Sequence, residues 1–452
     1  MIEIYPIGGY SKVEGNSVLI KVDDESVILD MGLTMDNYVQ FQNNVSKFDK
    51  NSRRKFFYNE LLEVDAVPDY YSLGKLTKTV KAVVPSHAHL DHVGAVPYGM
   101  KFFHNVPVLG TPYTIEFLRK ELTSTRHNKY FADNNISLIT CELNSTYKLS
   151  EKISIEFIEV THSVPDSAII VVHTPYGSVM YAVDYKFDLT PQLGNPPNFK
   201  RLEELGKKGI KCLILESLYA DYDIETASEE DVKQELIETI NSLDLTGKAI
   251  ITSTFSSHIV RLKTLIDIGK SLNRKVCLVG RSLKTHSDIA AKVKIVNLKN
   301  DVELVSRFED INELLENVYT NREEYFLICT GHQGEEYSVL TRILDGWFDF
   351  SFSPKDIMIF SSSVIPTEVN KKSFKELEQK LIKNKLLILK DLHASGHAGL
   401  KDHKKMLELV NPKYVIPAHA GEEKAKYIET LCHKIGIGKP ILTKNGNQIE
   451  IN

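Results

Sequence analysis

The sequence predicts a layered α/β fold in which one domain is interrupted by a second α/β domain. Three observations lead there. Short apolar runs bounded by turn residues recur from Ile2 to about Asp188, helical runs alternate with strands after Lys211, and histidine-rich loops at strand ends return near the C-terminus. In the first stretch Ser17–Val22, Ser26–Asp30, Val80–Val84, Ile153–Ile158, Ala168–His173 and Ser178–Val183 read as strands. The Gly- and Pro-containing stretch Pro191–Gly209 reads as a connection, and Lys211–Glu216 as a further buried strand. Helices over Glu229–Leu243 and Ser256–Leu272 then alternate with strands Ala249–Thr252, Lys275–Val279, Tyr325–Cys329 and Asp356–Phe360, a βαβ pattern that calls for a parallel sheet. Strands Leu386–Leu389 and Tyr414–Ile416 flank a basic helix over Gly399–Val410, where the first domain resumes. The expected division is residues 1–200 for the first part of that domain, 201–370 for the insertion and 371–452 for its completion.

Composition bounds the function. With 42% hydrophobic and 25% charged residues over 452 positions the chain is an ordinary globular one, which excludes fibres and intrinsic disorder. Its net charge of −5 would repel a polyanion, so a nucleic-acid partner has to be held by a local groove or by metal ions. The five cysteines (Cys141, Cys212, Cys277, Cys329 and Cys432) are odd in number and widely spaced, which suits reduced thiols and spells no Cys zinc site. Met1-Ile-Glu-Ile-Tyr-Pro6 carries no basic leader, and no apolar run reaches the roughly 18 residues of a membrane span. A cytoplasmic, unprocessed protein with no membrane partner is expected.

The strongest chemical signal is Ser86-His87-Ala88-His89-Leu90-Asp91-His92, directly after the strand Val80–Val84. Alternation points His87 and His89 the same way, and a turn into a helix start brings Asp91 and His92 across the same cavity, a donor set beyond what a core needs. Two-metal hydrolysis needs further ligands, one of them an anionic oxygen shared by both ions. Strand ends supply candidates in His162, Asp184 and His419. Each alone has a bland alternative, a satisfied structural histidine or a turn aspartate, and their recurrence beside the cluster is what favours the metal reading.

His87-x-His89-x-Asp91-His92, then His162, then Asp184 resembles the metallo-β-lactamase superfamily, with Asp30 in Val27-Ile-Leu-Asp-Met-Gly32 matching that fold's first motif. The resemblance implies an αββα sandwich in which His87, His89 and His162 hold one ion, Asp91, His92 and His419 the other, Asp184 bridges, and Asp30 orients the ligand loop. Two Zn²⁺ per chain suit this Cys-free N/O donor set, with Mn²⁺ or Mg²⁺ as alternatives. Leu213-Ile-Leu-Glu216-Ser217, His393-Ala-Ser-Gly-His397-Ala398 and Ile416-Pro-Ala-His419 resemble motifs A, B and C of the β-CASP nucleases, and most of all those of the ribonuclease J family in its compact archaeal form. Thr254-Phe-Ser-Ser, Leu278-Val-Gly-Arg281-Ser282, Thr330-Gly-His-Gln-Gly-Glu335 and Ser361–Pro366 add matches inside the insertion, which the resemblance makes a β-CASP domain.

By that resemblance the catalytic residues are His397 as proton donor, Glu216 as its orienting partner and Asp184, while His393, Ala394, Ser395, Gly396 and His397 grip phosphate near the 5′ nucleotide. A plain glycine turn is the alternative for the loop, and a strand cap for Glu216. The activity implied is 5′-to-3′ degradation of single-stranded RNA, preferably 5′-monophosphorylated, to nucleoside monophosphates by a homodimer. An endonuclease of the RNA 3′-end-processing type, a non-catalytic RNA-binding protein and a small-molecule hydrolase are the other readings. Three departures from the family pattern stand out: Glu216 where bacterial members have Asp, Val183 before the bridging aspartate, and Pro-Ala-His-Ala-Gly-Glu around His419. Lys47–Tyr58 interleaves five cations with aromatics, as a single-strand contact surface or a solvated basic loop would. The lysines from Lys371 to Lys385 read as a solvated helix face, and Trp347 as a core or interface anchor.

Overall fold

The computed structural model describes residues 1–48, 56–124, 136–354, 356–365 and 367–452. Two seven-stranded sheets face each other and a six-stranded sheet is inserted between the strands of the second. The first sheet is built from β1 (Ile2–Gly8), β2 (Ser17–Val22), β3 (Glu25–Leu29), β4 (Val80–Val84), β5 (Val108–Gly110) and β6 (Leu138–Thr140). The second takes β7 (Ser145–Lys148), β8 (Ser154–Glu159), β9 (Ala168–Thr174), β10 (Gly177–Ala182) and β11 (Ile210–Glu216). The inserted sheet takes β12 (Ile250–Ser253), β13 (Lys275–Val279), β14 (Glu303–Val305), β15 (Tyr325–Cys329), β16 (Ile357–Phe360) and β17 (Leu387–Leu389). The chain then returns as β18 (Tyr414–Ala418) and β19 (Lys439–Pro440) on the second sheet, and β20 (Ile449–Ile451) closes the first beside β1.

Period-2 alternation explains why these runs are apolar throughout. In β10 and β11, Val179, Tyr181, Cys212 and Ile214 point between the sheets against Val18, Ile20 and Val84, while Met180, Ala182, Leu213 and Leu215 point outward under the helices Phe199–Lys208 and Leu400–Val410. Both faces are covered, which is the αββα sandwich the sequence led us to expect. The inserted sheet repeats the device: Val276, Leu278, Phe326 and Ile328 face helices Ile259–Ser271 and Arg281–Lys292, and Cys277, Val279 and Leu327 face helix Phe308–Thr320. All its strand pairs are parallel, in the order β14-β13-β15-β12-β16-β17. Its first helical layer shares one core with the outer face of the first sheet, so the insertion lies packed on the sandwich.

Sheet membership divides the chain differently from the boundaries expected at 200/201 and 370/371. β11 pairs with β10 and β18 in the sandwich, in register from Cys212 with Tyr414 to Glu216 with Ala418, and β17 pairs with β16 in the insertion. The connection expected over Pro191–Gly209 contains the helix Phe199–Lys208, capped by Asn198. Gly206 made that stretch look like a breaker, but its role is close approach: a Cβ there would stand 2.2 Å from the Leu409 carbonyl of the neighbouring helix. Trp347 is 50% exposed and edge-on to Tyr337, so it is no core residue. The lysine-rich segment is a helix, Glu368–Lys383, that buries only Leu377 and Leu381. Of the basic aromatic segment, residues 49–55 lie outside the described residues; Phe56 and Tyr58 beside them are buried and Phe57 is exposed.

Candidate metal centre and active site

Every predicted site residue sits at or just beyond the end of a sandwich strand, or on the loop after β17. His87–His92 follows β4, His162 follows β8, Asp184 follows β10, Glu216 ends β11 and His419 follows β18. Asp30, Asp184 and His419 each adopt left-handed backbone, with φ of 59°, 51° and 56°. Non-glycine residues pay conformational energy for that, and here it turns three side chains off their strands into one cavity.

The hydrogen bonds fix which ring nitrogen of each histidine is bare. Asp30 is fully buried and accepts from Ser86 N (2.7 Å), Ser86 Oγ (3.1 Å), Tyr181 Oη (2.8 Å) and His92 Nδ1 (2.7 Å). Because the Ser86 hydroxyl donates to Asp30, it accepts from His87 Nδ1 at 3.0 Å. His162 Nδ1 donates to the Gly396 carbonyl (2.7 Å) and His419 Nδ1 to Asn16 Oδ1 (3.0 Å). The Nε2 lone pairs of all four are thereby turned inward, that of His92 meeting the Asn16 amide at 3.3 Å and that of His162 the Ser163 hydroxyl at 3.3 Å. His89 is turned the other way, with Nε2 near Ser257 Oγ (3.3 Å) and Ser163 Oγ (3.5 Å) and Nδ1 facing inward.

These inward atoms converge. His87 Nε2 and His162 Nε2 each lie 3.1 Å from His89 Nδ1. Asp184 stands among them, Oδ2 at 3.4, 3.3 and 3.5 Å from Nε2 of His87, His92 and His162, and Oδ1 at 3.2 Å from His419 Nε2. Asp91 Oδ2 is 3.3 Å from His92 Nε2. Two groups able to hold a cation result, His87/His89/His162/Asp184 and Asp91/His92/Asp184/His419, with Asp184 common to both. The donors fit a pair of divalent ions: bare nitrogens aimed at each other need a shared positive partner, and Asp184 Oδ1 is buried with no hydrogen-bond donor. The field agrees. Burial, and for His89 and His162 the neighbouring imidazoles, push His89, His162 and His419 below their usual range, into the neutral form that ligates. At His92 burial opposes the charge, yet Asp184, Asp91 and Asp30 outweigh it and raise its pKa, so the site draws positive charge.

A third cluster adjoins the second. Glu216 is fully buried; its Oε1 accepts from Tyr185 N (3.1 Å) and Ala398 N (3.2 Å), and its Oε2 from His397 Nδ1 at 2.8 Å. Burial disfavours the imidazolium, but Asp184 and Glu216 raise His397 to about 9. The loop that carries His397 is held from both sides. His397 N donates to Ser395 Oγ (3.0 Å), and Gly396 packs so tightly on His162 that a Cβ would lie 2.7 Å from its Nδ1. His393 Nδ1 lies 3.3 Å from Arg261 Nη1, a group that can only donate, so the Nδ1 of His393 accepts. Ala394 is buried beneath the loop. His89, Asp184, His393, Ser395, Gly396 and His397 line one cavity of about 550 Å³ whose other wall is the insertion.

Several contributors were not read from the sequence: Asn16 behind His419, Arg261 behind His393, Tyr181 behind Asp30, and Glu14, which lines the cavity and is raised to about 7 by burial and by Asp91 and Asp36. Only Ser257 carried a signal, inside Thr254-Phe-Ser-Ser. The altered loop after His419 leaves its ring facing Asp184.

Comparison with known proteins gives the class first. Residues 11–189 match the metallo-beta-lactamase superfamily, 247–380 the beta-CASP domain of ribonuclease J, and 385–443 the RNA specificity domain of Zn-dependent metallo-hydrolases. A structure of a protein of unknown function from Enterococcus faecalis V583 superposes with a TM-score of 0.66 at 18% identity over 99% of each chain, which supports the fold. The chain is 37% identical to ribonuclease J of Pyrococcus abyssi over 100% of its own length and 97% of the relative's. It is 36% identical to ribonuclease J of Methanocaldococcus jannaschii (92% and 91%), and 30% identical to ribonuclease J 1 of Streptococcus pyogenes (100% and 74%). The chain belongs to the ribonuclease J family, whose metallo-β-lactamase and β-CASP domains it carries.

Proposed function

We propose that the protein is a metal-dependent ribonuclease that degrades single-stranded RNA from a 5′-monophosphorylated end, releasing nucleoside monophosphates. The observation that carries this reading is the His397–Glu216 pair placed beside Asp184 in a cavity roofed by the insertion. Its volume of about 550 Å³ suits one nucleotide and its phosphates. Family membership supports RNA as the substrate.

His87, His89 and His162 would hold one divalent ion and Asp91, His92 and His419 the other, with Asp184 shared; two Zn²⁺ per chain is the loading proposed, Mn²⁺ or Mg²⁺ the alternatives. When bound, such a pair supplies Lewis-acid stabilisation of phosphate charge and lowers the pKa of water. The chain's own residues do the rest. Glu216 takes the Nδ1 proton of His397 as a hydrogen bond, so a charged His397 presents Nε2–H to the cavity and delivers that proton to the departing ribose 3′ oxygen. Arg261 occupies Nδ1 of His393, which leaves its Nε2–H free to donate to a 5′ phosphate beside Ser395 and the backbone of Gly396. A cavity walled on one side by the insertion favours a single strand threaded by its end. A homodimer in the cytoplasm completes the proposal; all five cysteines are unpaired and buried, as a reducing compartment allows, and among the described residues no helix is long and apolar enough to cross a membrane. Taking sheet pairing as the criterion, the insertion runs from the segment after Glu216 to the loop after Leu389.

The test is product analysis. Purified protein with added Zn²⁺ or Mn²⁺ should turn a 5′-labelled RNA into labelled mononucleotide with no intermediate fragments, and His87→Ala should abolish this while the folded protein remains. Labelled oligonucleotides as first products would overturn the direction proposed.

A further inference from the structure

The metal cavity does not end at the loop of His393. Through Phe255, Ser256, Ser257 and Ser282 it adjoins a second cavity of about 530 Å³ on the insertion. That cavity sits at the carboxyl ends of the parallel strands β12, β13 and β15, where open α/β sheets bind ligands. Arg281 and Arg342 both line it. Burial and the charge of Arg281 hold Arg342 below the usual range. Among the described residues neither has a carboxylate partner: Arg342 makes a long Nε bond to the Ser338 carbonyl (3.4 Å) and lies over the Phe348 ring at 5.8 Å, while of the two carboxylates that line the cavity with them, Glu335 and Glu336, Glu335 accepts from Gln333 N at 3.1 Å. His332 lines the same cavity, 4% exposed, with both ring nitrogens lacking a hydrogen-bond partner. The 12-residue helix Arg281–Lys292 begins there with no side-chain cap. Two cations without a carboxylate partner, an unpartnered buried histidine and an uncapped helix start share one cavity, and a phosphate would meet all of them.

From this we infer that the cavity is a subsite for a backbone phosphate of the RNA strand, gripped by Arg281 and Arg342 one or more nucleotides away from the cleaved bond. Phe255, half-buried at the junction with its ring edge-on to His332 at 4.1 Å, offers a face on which an intervening base stacks. The inference rests on the ribonuclease reading and adds the residues that make affinity depend on RNA length. An overall charge of −5 makes such a local grip necessary, because the whole-molecule field does not collect RNA.

The experiment compares wild type with Arg281→Ala, Arg342→Ala and the double variant on three substrates: a 5′-monophosphorylated decanucleotide, the corresponding dinucleotide and bis(p-nitrophenyl) phosphate, which reads the metal centre alone. The double variant should raise KM on the decanucleotide by about tenfold or more and flatten the slope of log KM against log salt by about one to two. It should leave the dinucleotide and the small ester unchanged, and Arg→Lys at both positions should restore part of the loss. An unchanged KM on the decanucleotide, or an equal loss on the small ester, overturns the subsite. If the double variant instead weakens inhibition by a free nucleoside monophosphate as much as it weakens the decanucleotide, the cavity holds a detached nucleotide and the inference fails. Failure of the ribonuclease reading is separate, since wild type would then not cleave either RNA.

Discussion

Replacing Glu216 with Gln tests the proton donor with almost no change of shape. The carboxylate serves three donors at once: Oε1 accepts two backbone N–H groups, from Tyr185 and Ala398, and Oε2 accepts from His397 Nδ1. An amide cannot do both. If its oxygen stays with the two backbone donors, its NH₂ meets Nδ1 and forces His397 into the neutral tautomer; if it flips, two buried N–H groups face an NH₂. The first arrangement loses a charge-assisted bond of about 1.5–3 kcal/mol, and the second leaves buried donors unmet at about 1–3 kcal/mol each. A loss near 2.7 kcal/mol corresponds to about 10²-fold in kcat, inside the ~10²–10⁴-fold span of general acids. The pH profile carries the sign. His397 works protonated, so the rate is high below its pKa and falls as pH rises through it. Asp184 and Glu216 raise that pKa to about 9 against burial, and ions bound at Asp184 would cancel part of the rise, so the descending limb belongs between about 6.5 and 9. Glu216→Gln should move this limb toward acid, whereas Glu216→Asp, which keeps the charge, should move it less. Single-turnover rates on 5′-labelled RNA across pH measure both. Wild-type kcat with an unmoved limb in Glu216→Gln would refute the assignment of His397.

Other outcomes follow from the same geometry. Asp184→Asn should cost both ions and at least about 10³-fold in turnover, while His87→Ala should mainly empty one group; metal analysis of dialysed proteins with circular dichroism of the fold separates the two. Asp30→Asn presents an amide N–H to a ring of donors, and should lower unfolding free energy by about 3 kcal/mol and weaken metal affinity about 10–100-fold, read by denaturant titration and metal competition. Gly396→Ala should displace the carbonyl that orients His162, and so lower activity by about tenfold or more at nearly unchanged stability. Gly206→Ala, whose Cβ would meet Leu409, should do the reverse, costing about 1–3 kcal/mol of stability with activity kept per folded molecule.

The αββα layering was legible because strands such as β10 and β11 are covered on both faces and therefore carry unbroken apolar runs. His87, His89, Asp91 and His92 were legible because four donors within six positions exceed any structural need. His162, Asp184 and His419 were candidates only by company: what brings them together is left-handed backbone at Asp184 and His419 and a glycine that clears room for His162, none of it visible in a residue's identity. The supporting partners were hidden by distance along the chain. Asn16 reaches His419 across 403 positions and Arg261 reaches His393 across 132, and neither sits in a pattern that local periodicity can reveal. Edge strands of two or three residues such as β6, β14 and β19 are too short for any period, and Gly206 concealed a helix because its task is contact with a neighbour.

The central claim is cleavage at a metal pair, entered from a 5′ end. It is tested most directly by incubating one 5′-labelled single-stranded RNA together with a circular RNA of the same sequence and added Zn²⁺ or Mn²⁺. The account predicts immediate release of labelled mononucleotide while the circle stays intact. Cutting of the circle at a comparable rate would contradict it, because an end-gripping loop at His393–His397 would then have no part in choosing the bond.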